Sequence, residues 1–293
     1  MNYGTVIPAL VTPFTADGEV DAARAGELAR RLVDGGADGV LVGGTTAESP
    51  TLTEDERLRV LAAVLEAVGD RVFVWAGTGT NDTAASIALT RRAQAAGAHG
   101  VMLVTPYYNK PPQEGLYRHF RAVAESTDLP VMIYNVPGRT SQNVAPETLA
   151  RLAEVPNVVA VKEASGQLDQ VSAIRRLAPH LLVYSGDDSL TLPILAVGGV
   201  GVVSVAAHIV PGELARMVRA FAAGDVRTAE AIHRRLFPLC KALFVTTNPI
   251  PVKLALRLTG FDAGGCRPPL CDPSPAEAEA VRTALAELGL LRA

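Results

Sequence analysis

Eight short apolar runs recur along the chain, at residues 6–11, 39–42, 72–76, 101–104, 131–134, 158–161, 181–184 and 202–205. They are rich in Val, Ile and Leu, and most are continuous rather than alternating. A strand covered on one face alternates apolar and polar side chains, whereas one covered on both faces does not. The pattern therefore predicts parallel strands buried between layers. Between the runs lie Ala-, Arg- and Glu-rich stretches with helix start signals at Asp21, Thr53-Glu54-Asp55-Glu56, Asn81-Asp82 and Pro146-Glu147. Eight strand–helix units ending near Ala223 predict an α/β fold, a (β/α)8 TIM barrel over residues 1–223 that forms the catalytic domain. A doubly wound open sheet is the alternative, but its phosphate-binding fingerprint is missing, since Gly77-Thr78-Gly79 has no third glycine. After Gly224 the runs stop. Residues 225–245, 251–260 and 275–290 read as helices, which gives a C-terminal helical extension over 224–293.

Composition narrows the picture. Hydrophobic residues make up 48 % of the 293 and charged residues 19 %, too apolar for a disordered chain and enough for a large core. The formal charge of −3 lacks the basic excess of a nucleic-acid binder. Cys240, Cys266 and Cys271 are too few for a disulfide framework. The opening MNYGTVIPALVTPF has no basic n-region, so no signal peptide is read and a cytoplasmic location is expected. Residues 189–212 carry no formal charge, a length that raises a membrane span. Pro193, Gly198, Gly199, Gly201 and His208 within it predict instead a buried helix, a glycine turn and a buried strand, with no membrane partner. One count bears on chemistry: 23 arginines stand against four lysines, Lys110, Lys162, Lys241 and Lys253. Where Arg fills most basic positions, a remaining Lys is more often than usual at a place where Arg cannot serve.

The active site of such a barrel lies at the carboxyl ends of its strands, so the residues closing each run are the candidates. Lys162 follows the apolar run at 158–161, where an ammonium is costly to desolvate and its pKa is pushed down. An amine that can lose its proton can attack a carbonyl and form a Schiff base; a guanidinium cannot. A salt bridge from Lys162, with Glu163 at hand, explains the same residue and stays open. Thr45, Thr46, Tyr108 and Tyr134 bring hydroxyls to the same rim, where a Tyr–Thr chain can relay protons. Each tyrosine reads equally as a half-buried aromatic with its hydroxyl in water. Arg139 is a candidate carboxylate clamp, and the Gly43-Gly44-Thr45-Thr46 turn could offer backbone N–H groups to a carboxylate. No HxxxH, HxH, CxxC or GxSxG pattern occurs, so metal chemistry and a serine nucleophile are poorly supported. Asp187-Asp188 reads as a helix cap ahead of a cation site.

Three stretches resemble the signatures of one family: Gly44-Thr45-Thr46-Ala47-Glu48, Tyr134-Asn135-Val136-Pro137-Gly138-Arg139-Thr140 and Val161-Lys162-Glu163-Ala164-Ser165. The chain is similar to the dihydrodipicolinate synthase / N-acetylneuraminate lyase family, class I pyruvate-dependent aldolases on a TIM barrel with a helical extension. The resemblance runs to Asn248-Pro249-Ile250-Pro251-Val252-Lys253 in the tail. Arg139 after Val-Pro-Gly, together with Thr105-Pro106-Tyr107-Tyr108, points to the branch that condenses pyruvate with L-aspartate 4-semialdehyde in lysine and diaminopimelate biosynthesis. Another aldolase of the family, acting on sugar acids or aromatic aldehydes, is the alternative. A divalent-metal aldolase using Asp187 and Glu48, and a catalytically dead scaffold, are weaker ones.

The resemblance implies a Schiff base with pyruvate on Lys162, Tyr134 as general acid and base, and Thr45 and Tyr108 completing a proton relay. It implies that Tyr108 enters the neighbouring subunit's site, within a homotetramer built as a dimer of dimers. Thr46 would hold the pyruvate carboxylate, Arg139 that of the aldehyde, and Gly186 and Val203 would line the pocket. No cofactor or metal is implied. Ala47 replaces a common Gly, which is tolerable if the turn avoids positive φ there. Ser49, Asn81 and Tyr107 fit the family's lysine-inhibition site, but Glu54, Arg57 and Ala85 stand where sensitive members carry His, His and Glu. Feedback inhibition by lysine is therefore expected to be weak or absent.

Overall fold

The computed structural model describes residues 2–291. Eight parallel strands form one sheet: β1 (Val6–Pro8), β2 (Gly39–Val42), β3 (Phe73–Gly77), β4 (Gly100–Val104), β5 (Val131–Asn135), β6 (Val158–Glu163), β7 (Leu182–Ser185) and β8 (Gly201–Ser204). Each pairs with its sequence neighbour, and β8 pairs with β1. Between β1 and β2 the ladder thins to one bridge, Ala9 with Leu41, and that bridge completes the near-closed TIM barrel. Helices alternate with the strands: α1 (Ala22–Asp34), α2 (Glu54–Val68), α3 (Thr83–Ala95), α4 (Gln113–Ala124), the single turn α5 (Pro137–Thr140), α6 (Pro146–Leu152), α7 (Leu168–Leu177), α8 (Thr191–Ala196) and α9 (Pro211–Ala222). Then come α10 (Val226–Ala242), α11 (Ile250–Leu258) and α12 (Pro275–Glu287).

The continuous apolar runs are explained by two cores. Ile7, Leu41, Trp75, Met102, Met132, Ala160, Tyr184 and Val203 fill the barrel. Their strand neighbours, such as Val6, Val40, Val74, Val101, Val131 and Val161, face the helices. At the amino-terminal mouth the Tyr184 hydroxyl donates to the Gly4 carbonyl at 2.9 Å, and the Trp75 indole N–H donates to the Tyr3 carbonyl at 3.3 Å.

The strand expected over 6–11 is shorter than its apolar run. Residues 9–11 are buried, but after the Ala9 N–H donates to the Ser204 carbonyl the chain leaves β8 and meets β2 at the Ala9–Leu41 bridge, where the Leu10 N–H donates to the Leu41 carbonyl. Burial, not ladder pairing, is what the apolar run recorded. The uncharged stretch 189–212 resolves into a short turn, α8, β8 and the start of α9. Among the described residues no helix is long and apolar enough to cross a membrane.

One irregularity sets the phase of β6. Val131 pairs with Val158, but Met132 pairs with Ala160, so Val159 is an extra residue against β5. Beyond this bulge Ile133 faces Val161, Tyr134 faces Lys162 and Asn135 faces Glu163. A bulge of this kind turns every later side chain to the opposite face of its strand.

Candidate active site

Because side chains alternate along a strand, Tyr134 follows Met132 into the barrel and Lys162 follows Ala160. Both stand at the carboxyl ends of neighbouring strands. Lys162 is 5 % exposed, and its Nζ lies 4.1 Å from the centre of the Tyr134 ring. Among the described residues its ammonium has no carboxylate partner and no hydrogen bond. Glu163 points the other way, into the helix layer. Its carboxylate accepts from Asn135 Nδ2 at 3.0 Å, Gln170 Nε2 at 2.9 Å and the Ser165 backbone N–H at 2.7 Å. The Lys162–Glu163 salt bridge left open by the sequence is therefore not formed.

Gly186 makes room for the lysine stem. A Cβ there would stand 3.1 Å from Lys162 Cγ, 3.2 Å from Lys162 Cε and 2.8 Å from Ala164 Cβ. Val203, on β8, is 2 % exposed and belongs to the same barrel core as Tyr134.

The loop after β2 supplies the hydroxyls. Gly43 has φ +73° and packs against β3, where a Cβ on Gly77 would meet the Gly43 carbonyl at 2.4 Å. A one-turn 3-10 helix follows over Thr45–Ala47, and the left-handed residue is Glu48, with φ 57°. Ala47 is not among the positive-φ residues, so its departure from glycine costs nothing. Thr45 is half-buried. Thr46 is buried and its Oγ1 accepts a hydrogen bond from Asn248 Nδ2 at 2.9 Å.

Glu48 anchors this loop to the tail. Its carboxylate accepts from the Arg267 backbone N–H at 2.8 Å and forms a 2.6 Å ion pair, without hydrogen-bond alignment, to Lys253 Nζ. Lys253 also donates to the Gly265 carbonyl at 2.7 Å and lies 4.2 Å from the Phe14 ring centre. Burial pushes its ammonium below the ordinary lysine value, while Glu48 pulls it back up. Next to it the Arg267 guanidinium grips Glu56 and holds that carboxyl down at about 2.

A cavity of about 230 Å³ opens at this end of the barrel, with Thr45, Tyr134 and Arg139 in its wall beside Gly44, Met102 and Val104. Of the expected site residues, these three share the cavity. Lys162 packs between Gly186 and the Tyr134 ring, Val203 belongs to the same barrel core as Tyr134, and Thr46 turns its hydroxyl to Asn248. Tyr108 is elsewhere: it is 91 % exposed, on backbone with φ 73°, so it does not join Thr45 and Tyr134 within one chain. Nor does a hydrogen bond link Thr45 to Tyr134 among the described residues. The relay expected from the sequence is not closed in the single chain.

Other strand-end groups are committed to structure. Asp187 caps the turn at Ser189. Asp188, its pKa raised by burial, accepts from Ser204 Oγ and the backbone N–H groups of Val205 and Ala206. His208 is held neutral by burial, at about 4, accepting from the Val11 N–H on Nε2. Both carboxylates of the metal-aldolase alternative, Asp187 and Glu48, are thus engaged. No group of three or more His, Cys, Asp or Glu that could hold a metal ion occurs among the described residues.

The residues that sequence reasoning passed over are Asn248, whose amide reaches Thr46, and Lys253, one of the four lysines but without an assigned role. Met102 and Val104, the apolar wall, lay inside a strand and carried no signal beyond burial.

Comparison with known proteins gives matches along nearly the whole chain. The model of the dihydrodipicolinate synthetase family matches residues 2–288. A 4-hydroxy-tetrahydrodipicolinate synthase from Moorella thermoacetica is 57 % identical over 99 % of this chain and 100 % of its own length. Among solved structures, a dihydrodipicolinate synthase from Cyanidioschyzon merolae with lysine bound is 48 % identical over 99 % of both chains, with a TM-score of 0.97. The chloride-inhibited enzyme from Acinetobacter baumannii complexed with pyruvate is 37 % identical, with a TM-score of 0.96 over 99 % of this chain and 100 % of that one.

Proposed function

The chain belongs to the dihydrodipicolinate synthetase family, and from that premise we propose that it is a lyase that condenses pyruvate with L-aspartate 4-semialdehyde. The product is 4-hydroxy-tetrahydrodipicolinate, on the route to diaminopimelate and lysine. The observation that carries the reading is Lys162: a buried amine inside the barrel, without a counter-ion among the described residues, against the ring of Tyr134.

In the reaction, neutral Lys162 Nζ adds to the keto carbon of pyruvate and water leaves, giving a protonated imine. Loss of a methyl proton gives the enamine, whose carbon attacks the aldehyde carbon of the second substrate. The amino group of the adduct then attacks the imine carbon and displaces Lys162, closing a six-membered ring. Tyr134 moves protons at these steps, with Thr45 and with Tyr108 supplied by a second subunit. Thr46 and the backbone of its turn hold the pyruvate carboxylate, and Arg139 holds that of the aldehyde. Gly186 and Val203 shape the space around Lys162. The covalent imine on Lys162 takes the place of an external cofactor. The exposure of Tyr108 supports an assembly in which it fills a neighbour's site, and we propose a homotetramer, a dimer of dimers.

The test is borohydride reduction in the presence of pyruvate, followed by peptide mass spectrometry. A reduced pyruvyl adduct on Lys162 supports the reading; an adduct elsewhere, or none, refutes it.

Weak lysine feedback is a second expected result. Ser49, Arg57 and Tyr107 line the outer part of the cavity. Arg57 is turned to the Ser49 carbonyl, Glu54 is paired with Arg92, and position 85 on α3 is Ala. An incoming ammonium therefore finds no free carboxylate among these three positions. Initial rates measured with increasing lysine should fall only at high concentrations, and strong inhibition at sub-millimolar lysine would overturn this.

A further inference from the structure

The hydroxyl of Thr46 has one proton and, among the described residues, one partner. Asn248 Nδ2 donates to it at 2.9 Å across a separation of 202 residues, and both side chains are buried. A hydroxyl that accepts on one side must turn its own proton elsewhere. Among the described residues no protein acceptor takes that proton. Asn248 Oδ1 is buried without a hydrogen-bond partner, so this amide is not oriented for its own saturation. The reverse orientation would place Oδ1 against Thr46, absorb its proton and bury both amide hydrogens without that acceptor, and orphaned N–H groups are rarer than orphaned carbonyls.

We propose that Asn248, from the loop between α10 and α11, is a positioning residue that aims the Thr46 hydroxyl proton at the carboxylate of pyruvate. The inference rests on the reading of Thr46 as the carboxylate-holding residue. Asn248 never touches substrate. It converts a hydroxyl that could donate or accept into an obligate donor toward the site. The tail thereby reaches the chemistry through one hydrogen bond, while the nearby Glu48–Lys253 pair fixes the end of the same loop.

Two variants test it. N248A removes the donor. N248D, nearly isosteric, replaces it with an acceptor that captures the Thr46 proton and adds negative charge behind the carboxylate site. Loss of one hydrogen bond to a charged group predicts that the pyruvate concentration for half-maximal borohydride trapping rises about tenfold in N248A. The rise should be larger in N248D. KM for pyruvate should rise in step, while kcat and KM for aspartate semialdehyde stay within about twofold, because Asn248 acts only on the ground-state grip of one carboxylate. In a T46V background, N248A should add nothing further, as expected for two residues acting through one bond. Unchanged half-saturation in both variants, with trapping on Lys162 intact, overturns the inference alone. So does an equal loss of affinity for both substrates together with kcat, the mark of a merely structural residue. Absence of trapping in the unmodified protein overturns the Schiff-base reading itself, and this inference with it.

Discussion

Replacing Lys162 by Met should abolish turnover and leave the fold standing. The thioether keeps an unbranched stem of similar length over Gly186 and removes only the amine. Without a nucleophile no imine forms, and kcat/KM should fall on the order of 10⁴-fold or more, the scale seen when a nucleophile is deleted. K162R should fail equally, because a guanidinium stays protonated. Stability should move the other way from a typical core substitution. Among the described residues Lys162 has no carboxylate partner, so removing its amine orphans no group and takes a polar atom out of the barrel core. A thermal melt of K162M should lie within about 1.5 kcal/mol of the unmodified protein, as for a volume-conserving swap, or above it. Retention of more than about a hundredth of the activity would remove Lys162 from the nucleophile's role.

The same substitution at Lys253 should have the opposite profile. Lys253 and Glu48 are 4 % and 3 % exposed and pair at 2.6 Å. K253M leaves the Glu48 carboxylate buried without its cationic partner, held by the Arg267 backbone N–H and the Cys266 thiol. Breaking a buried pair by deleting one partner costs about 3–5 kcal/mol, whereas neutralising both members is far milder. Denaturant unfolding should therefore show a large loss in K253M and substantial recovery in the double variant E48Q/K253M. If K253M alone melts with the unmodified protein, the pair does not anchor the loop. Two of the four lysines are thus buried for different reasons: one because its charge has a partner, the other because its amine must do without one.

Much of this was legible in the residues. The eight runs located the strands because a strand covered on both faces is apolar at every position. Lys162 stood out because it ends such a run and because lysine is scarce. The contacts of the tail were hidden, since Asn248 and Thr46 lie 202 residues apart and neither has a local pattern that announces the other. Tyr108 was legible as a strand-end tyrosine, but its direction was not. That depends on a single left-handed residue, which no periodicity reports. The commitment of Asp188 to the β8 loop was likewise invisible, because a helix cap and a cross-strand anchor look alike as two adjacent aspartates.

The extra residue in β6 has a consequence for how the reaction centre can change. Counting by twos from Val158, which faces the helices, Lys162 would also face the helices and Glu163 would point into the barrel. Val159 reverses that parity. The inward aim of Lys162 therefore depends on the bulge: if β6 alternated regularly through Val159, the amine would turn to the helices and the Glu163 carboxylate to the centre of the molecule. Deleting Val159 has the opposite outcome, because Ala160 then follows Val158 directly and simple alternation carries Lys162 inward. A residue inserted between Ala160 and Lys162, with the bulge kept, would reverse the face of the amine without touching the lysine codon. The position of the nucleophile is thus tolerant of losing the extra residue and intolerant of gaining one beyond it.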